Sequence, residues 1–152
     1  MRRLTLPTII LLMVVAGSVA TAQKPYPIFT LEDFTTAMKA AGLAFATVTT
    51  ALGRNDFDTA KRQLTRSRER LAVTITFWRD KKKDDAVKLL RNALTKMDDL
   101  DAALSVDNDK IDPTAVNTSA KQVDAACQAC HAVYREQDPG TKAYRLKPGS
   151  AQ

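Results

Sequence analysis

The chain holds two cysteines and one histidine, and all three stand within Cys127-Gln128-Ala129-Cys130-His131. On a helix, a rotation of 100° per residue puts Cys127, Cys130 and His131 within about one third of the circumference, so two thiols and an imidazole share one face. C-x-x-C-H is the spacing of covalent c-type haem attachment: two thioethers fix the porphyrin edge, and the adjoining neutral imidazole reaches the iron through one ring nitrogen. That chemistry predicts one covalent haem c per chain, held by Cys127 and Cys130, with His131 as an iron ligand.

Other uses of the same residues fit less well. A thioredoxin-like C-x-x-C sits at the start of a helix after a strand, where the dipole lowers the thiolate pKa; this pair lies deep in a helical pattern with no strand before it. Zinc would find three ligands here and no further cysteine or histidine for the fourth position. A disulfide between Cys127 and Cys130 would close a very small loop inside a helix and strain its geometry.

Four segments that could position this motif carry apolar residues at alternating steps of three and four, the seam of a bundle helix. The first shows Leu31, Phe34, Met38, Ala41, Phe45, Val48 and Leu52, opened by Thr30 and Asp33 as a capping box and closed by Gly53. The second starts at Asn55 or Asp56 and shows Phe57, Ala60, Leu64 and Leu71. Its end, Leu71, Val73, Ile75 and Phe77, alternates like a strand, but the chain offers no partner strand, so the helix is predicted to run on towards Trp78. The third follows Lys83, has Asp84 and Asp85 in its first turn, and carries Ala86, Leu90, Ala93, Met97, Leu100 and Leu104. The last is capped by Asp112 with Pro113 in its first position, carries Val116, Ala120, Val123, Cys127, Cys130 and Tyr134, and is expected to stop before Pro139-Gly140. Residues 141–152 read as an irregular tail. Helices of this kind bury their stripes only against one another, which predicts an all-α fold, an antiparallel up-down four-helix bundle over 23–140.

The composition suits one such domain: 152 residues, 45% hydrophobic and 26% charged, which excludes low-complexity and wholly disordered chains. Residues 1–22 are set apart. Arg2 and Arg3 precede an apolar run from Ile9 to Ala16, and Ala20-Thr21-Ala22 matches a cleavage site. The segment therefore reads as a secretory signal peptide and the mature chain as periplasmic, with no stable membrane span after cleavage. Losing Arg2 and Arg3 takes the net charge from +6 to +4. The cations Lys61, Arg62, Arg66, Arg68 and Arg70 read as a solvated face, and export argues against nucleic acid as a partner.

The leader, the four helices and Cys-Gln-Ala-Cys-His-Ala-Val-Tyr-Arg at 127–135 together resemble cytochrome c′ and its relatives, the class II c-type cytochromes, over roughly Thr30 to Gln137. The resemblance implies an exported electron carrier rather than an enzyme, working with a redox partner protein, with the haem inside the bundle and His131 as proximal ligand. The family has two branches. One keeps the opposite face of the iron behind an apolar side chain and binds nitric oxide or other small gases. The other ligates the iron with a methionine from the first helix, and Met38-Lys39-Ala40-Ala41-Gly42 is similar to its Met-Lys segment. Met38 is accordingly the expected sixth ligand; Met97 is the other methionine of the mature chain, and an open gas-binding site is the alternative.

Relatives also carry an arginine where Arg135 stands, close to the proximal imidazole, and Tyr134 continues the seam towards the haem edge. Where they have an arginine four residues before the methionine, this chain has Phe34, so propionate pairing falls to Arg62, Arg66, Arg70 or the tail with Arg145 and Lys147. Relatives often dimerise through their first two helices. The outward faces here, rich in Thr, Lys and Arg, show no apolar patch and make a homodimer the weaker expectation.

Overall fold

The computed structural model describes residues 30–151. The signal peptide expected over 1–22 lies outside the described residues. The fold is mostly helical, in the order α1 (Leu31–Leu52), α2 (Phe57–Ala72), α3 (Ile75–Asp80), α4 (Asp84–Ala103), a 3-10 turn (Asn108–Lys110), α5 (Pro113–Tyr134), and two short strands, β1 (Arg135–Gln137) and β2 (Tyr144–Leu146). Among the described residues no helix is long and apolar enough to cross a membrane.

Three of the four expected helix starts supply a side-chain oxygen to an orphan backbone donor, while α4, entered from Lys83, has no side-chain cap. Thr30 Oγ1 accepts from Asp33 N at 3.1 Å, Asp56 Oδ1 from Thr59 N at 3.0 Å, and Asp112 Oδ1 from Thr114 N at 2.8 Å. Gly53 does close α1, but in right-handed conformation; the left-handed residue of that turn is Asn55, at φ 56°. Asparagine tolerates this region better than most side chains.

Two expectations need correction. The second helix does not run unbroken to Phe77: it pauses at Val73 and Thr74, and α3 begins at Ile75. The Thr74 hydroxyl, fully buried, donates to Leu71 O at 2.7 Å, and Thr76 donates to Val73 O at 3.0 Å. Threonine side chains bonding back to the preceding turn compete with the helical ladder, and here they let it turn a corner. The tail is not wholly irregular either. Tyr144–Leu146 pairs antiparallel with Arg135–Gln137, Arg135 opposite Leu146 and Gln137 opposite Tyr144.

α1 packs along α2, and α5 along α4; α2 also meets α4, whereas α1 meets α5 at only a few points. Ser67 Oγ, buried on α2, donates to Ala41 O of α1 at 2.9 Å and ties the first pair. An aromatic layer joins the pairs at one end. Phe34 stacks on Phe77 with centroids 4.4 Å apart, Trp78 stands edge-on to both at 5.2 Å, and Tyr134 lies 4.7 Å from Trp78. The lone tryptophan is thus a core residue. Since Phe34 opens α1 and Tyr134 closes α5, one helix leaves this layer and the other arrives at it.

Candidate haem-attachment site

α5 carries the motif. Its seam of Val116, Ala120, Val123, Ala126 and Tyr134 is buried, which leaves Cys127, Cys130 and His131 half-buried on the same face and its edges. The helix ends at Tyr134 because Arg135 turns extended, at φ −110° and ψ 141°, while its N–H still donates to His131 O. The tail then satisfies carbonyls that this end leaves open: Lys147 N donates to Tyr134 O at 2.9 Å, and Lys147 Nζ to Ala132 O at 2.7 Å.

The two cysteines form no disulfide. Burial pushes the Cys127 thiol up to about 11, with the negative charges of Asp124 and Cys130 adding to it and Arg135 opposing. Burial, then the Asp85 carboxylate, raises Cys130 as well. Redox-active C-x-x-C pairs need the reverse, a thiolate favoured by a helix N-terminus or a cation, so the surroundings speak against a thioredoxin-like role. No three His, Cys, Asp or Glu side chains converge into a metal cage among the described residues.

His131 is held neutral. Burial lowers its pKa first and the Arg135 charge second, with Asp124 pulling the other way. Its Nδ1 is buried and has no hydrogen-bond partner. Leaving such an atom unpaired costs about 1–3 kcal/mol, so hydrogen bonds of the protein do not account for where the ring sits. On the helix, His131 lies 100° round from Cys130. Cys130 and Tyr134 face α4, since the Tyr134 hydroxyl donates to Asp85 Oδ2 at 2.5 Å. His131 therefore lies off the side of α5 that faces α4.

The two thiols and the imidazole that would hold a haem share one face of α5 and its edges, and the neutral imidazole has the protonation state an iron ligand requires. Met38, half-buried against the core, lies one turn beyond Phe34 on α1, and His131 lies just under one turn before Tyr134 on α5. Measured from the aromatic layer, the two stand about 6 and 4.5 Å in. Met97 does not share this level: it is fully buried on α4, twelve residues past Asp85, about 18 Å from the layer.

The remaining expected residues divide. Tyr134 borders Cys130 but is buried, with its ring on Trp78 and its hydroxyl on Asp85. Arg135 has its guanidinium 4.1 Å above the centroid of the Tyr144 ring, and its charge reaches both His131 and Cys127. Of the propionate candidates, Arg145 is engaged by Glu136 and Asp138, Lys147 by Ala132 O, and Arg62 by Thr59. Arg66 and Arg70 line a groove with Ala40 and Ala44 of α1, residues that lie about 200° and 240° round that helix from Met38. They serve another face. Sequence reasoning did not find Asp85 and Tyr144 as neighbours of the site, because both reach it through contacts between distant segments.

Comparisons of the chain with protein-family models, with curated proteins and with solved structures gave no match.

Proposed function

We propose that this chain is an exported monohaem c-type cytochrome of the cytochrome c′ kind, an antiparallel up-down four-helix bundle that carries single electrons to or from a redox partner protein in the periplasm. The observation that carries the reading is the motif in its setting: both cysteines and the only histidine on one face of α5 and its edges, with the imidazole kept neutral beside the thiols. When bound, haem c supplies an iron that alternates between ferrous and ferric states and so passes one electron at a time. Cys127 and Cys130 would tether the haem, and His131 and Met38 would ligate the iron. Phe34, Phe77, Trp78 and Tyr134 exclude water from the adjoining end of the bundle. In this reading the chain is a carrier and turns over no substrate.

The test is the colour of the full-length protein made in cells able to attach haem. Pigment that stays with the chain through acid-acetone extraction is the expected result, and its loss overturns the reading. The ferric spectrum then reports the sixth ligand. A low-spin spectrum with the far-red band of a methionine–iron bond is expected, and Met38→Ala should turn it high-spin and open to nitric oxide. A high-spin spectrum in the unaltered protein would instead point to a gas-binding site, and a low-spin spectrum unchanged by Met38→Ala would remove Met38 from the iron.

A further inference from the structure

Nothing in the proposed haem chemistry uses the C-terminal ribbon, yet the ribbon is built against the site helix. β1 begins at Arg135, whose backbone is bonded to the turn bearing His131. The β1–β2 pairing sets Leu146 opposite Arg135, so Tyr144 is its diagonal neighbour on the same face of the ribbon. Lys147 fastens the far end of β2 to two carbonyls of α5, and on the other face Arg145 pairs with Glu136 and Asp138. Leu146 packs against the core. Each residue of the ribbon thereby has a structural partner, and the partner of Tyr144 is the Arg135 guanidinium.

That contact needs a reason. Tyr144 is 59% exposed, an aromatic ring that buries little and anchors no core. Arg135 forms no ion pair among the described residues, although Glu136 and Asp138 lie close along the chain and bind Arg145 instead. A long, flexible cation left unpaired samples many rotamers, and an aromatic face is a means of fixing a guanidinium without neutralising its charge.

We infer that Tyr144 is a positioning residue for the haem site: its ring holds the Arg135 guanidinium against the turn that carries His131, so that a fixed positive charge stands beside the proximal imidazole. Oxidation of the site adds one more positive charge there, so the held guanidinium favours the reduced form and raises the reduction potential. The effect on potential rests on the haem reading; the placement of Arg135 does not.

The experiment uses the full chain with haem attached, and the same chain made without attachment, as wild type, Arg135→Gln, Tyr144→Leu, Tyr144→Phe and the Arg135→Gln/Tyr144→Leu double variant. In the haem-free chains, ring current should shift the Arg135 δ-methylene protons upfield in wild type and Tyr144→Phe, and Tyr144→Leu should return them to ordinary positions. In the haem-bearing chains, Arg135→Gln and Tyr144→Leu should each lower the midpoint potential, Tyr144→Phe should leave it in place, and the double variant should lie no lower than Arg135→Gln alone. An unshifted Arg135 in wild type overturns the inference. So does a Tyr144→Leu potential equal to wild type, or a further fall in the double variant, since either means that Tyr144 does not act through Arg135. If no chain takes up haem, the carrier reading falls by itself, and the proton shifts still decide the position of Arg135.

Discussion

Tyr134 and Asp85 meet across 49 residues of sequence, and their bond should be visible in how stability depends on pH. Burial first, then donation to Asp85 and the charge of that carboxylate, hold the Tyr134 hydroxyl above its ordinary 10.0, at about 12. A group whose native pKa is raised stabilises the fold fully below its unfolded value and loses that contribution as the pH climbs through the native one. Wild type should therefore lose this contribution between about pH 10 and 12. Asp85 runs the other way. The Tyr134 hydrogen bond holds its carboxyl below the ordinary 3.8, so its contribution is present above that value and is lost as the pH falls through the lower native one. Tyr134→Phe keeps the ring on Trp78 and removes the hydroxyl. In thermal melts its deficit against wild type should be largest on the plateau and narrow at both the alkaline and the acid end; a deficit that is constant with pH would show that the bond does not couple to folding.

At the scale of elements, the turn between α3 and α4 holds a correctable strain. Lys82 sits at φ 54°, its N–H on Arg79 O, while Lys83 N closes back to Trp78 O at 3.0 Å. This is the position where helices usually place glycine, because a Cβ crowds the carbonyl there. Lys82→Gly should raise stability by up to about 1 kcal/mol, whereas Lys83→Gly, at φ −97°, should not, and equal effects in urea melts would contradict the account. The long helices were legible in the sequence because their evidence is local: Thr30, Asp56 and Asp112 each cap within three residues, and the apolar stripes repeat at helical spacing. The motif was legible for the same reason, with its cysteines and histidine inside one turn and a half. The pause at Val73–Thr74 was not, since the run 71–77 reads as helix or strand until burial of the Thr74 hydroxyl decides it. Nor was the ribbon. Arg135-Glu136-Gln137 and Tyr144-Arg145-Leu146 have no strand pattern of their own and become strands by pairing with each other at the end of α5.

The molecule as a whole is unevenly tied together, and a loose join lies between α1 and α5. α1 is bound to α2 by a long interface and α5 to α4 by another, but between α1 and α5 the contact is sparse away from the aromatic layer. A group held by α5 and touched by α1 would supply the missing contact, and whatever binds the native chain alone shifts folding towards it. The chain with Cys127→Ser and Cys130→Ser, which cannot form thioethers, should therefore melt below the haem-bearing protein. Its α1 and α5 backbone amides should exchange faster while those of α2 and α4 change least, because α1 and α5 are the elements that lose a neighbour. Trp78 gives a second reading from the same samples. It is the only tryptophan and stands 4.7 Å from Tyr134, one helical turn from Cys130, well within reach of energy transfer to a tethered porphyrin. Its emission should be quenched in the haem-bearing fold, recover on unfolding, and be bright throughout in the double serine variant. Equal melting and equal emission with and without the pigment would mean that no such group lies between α1 and α5, and that the sparse flank belongs to the protein's own packing.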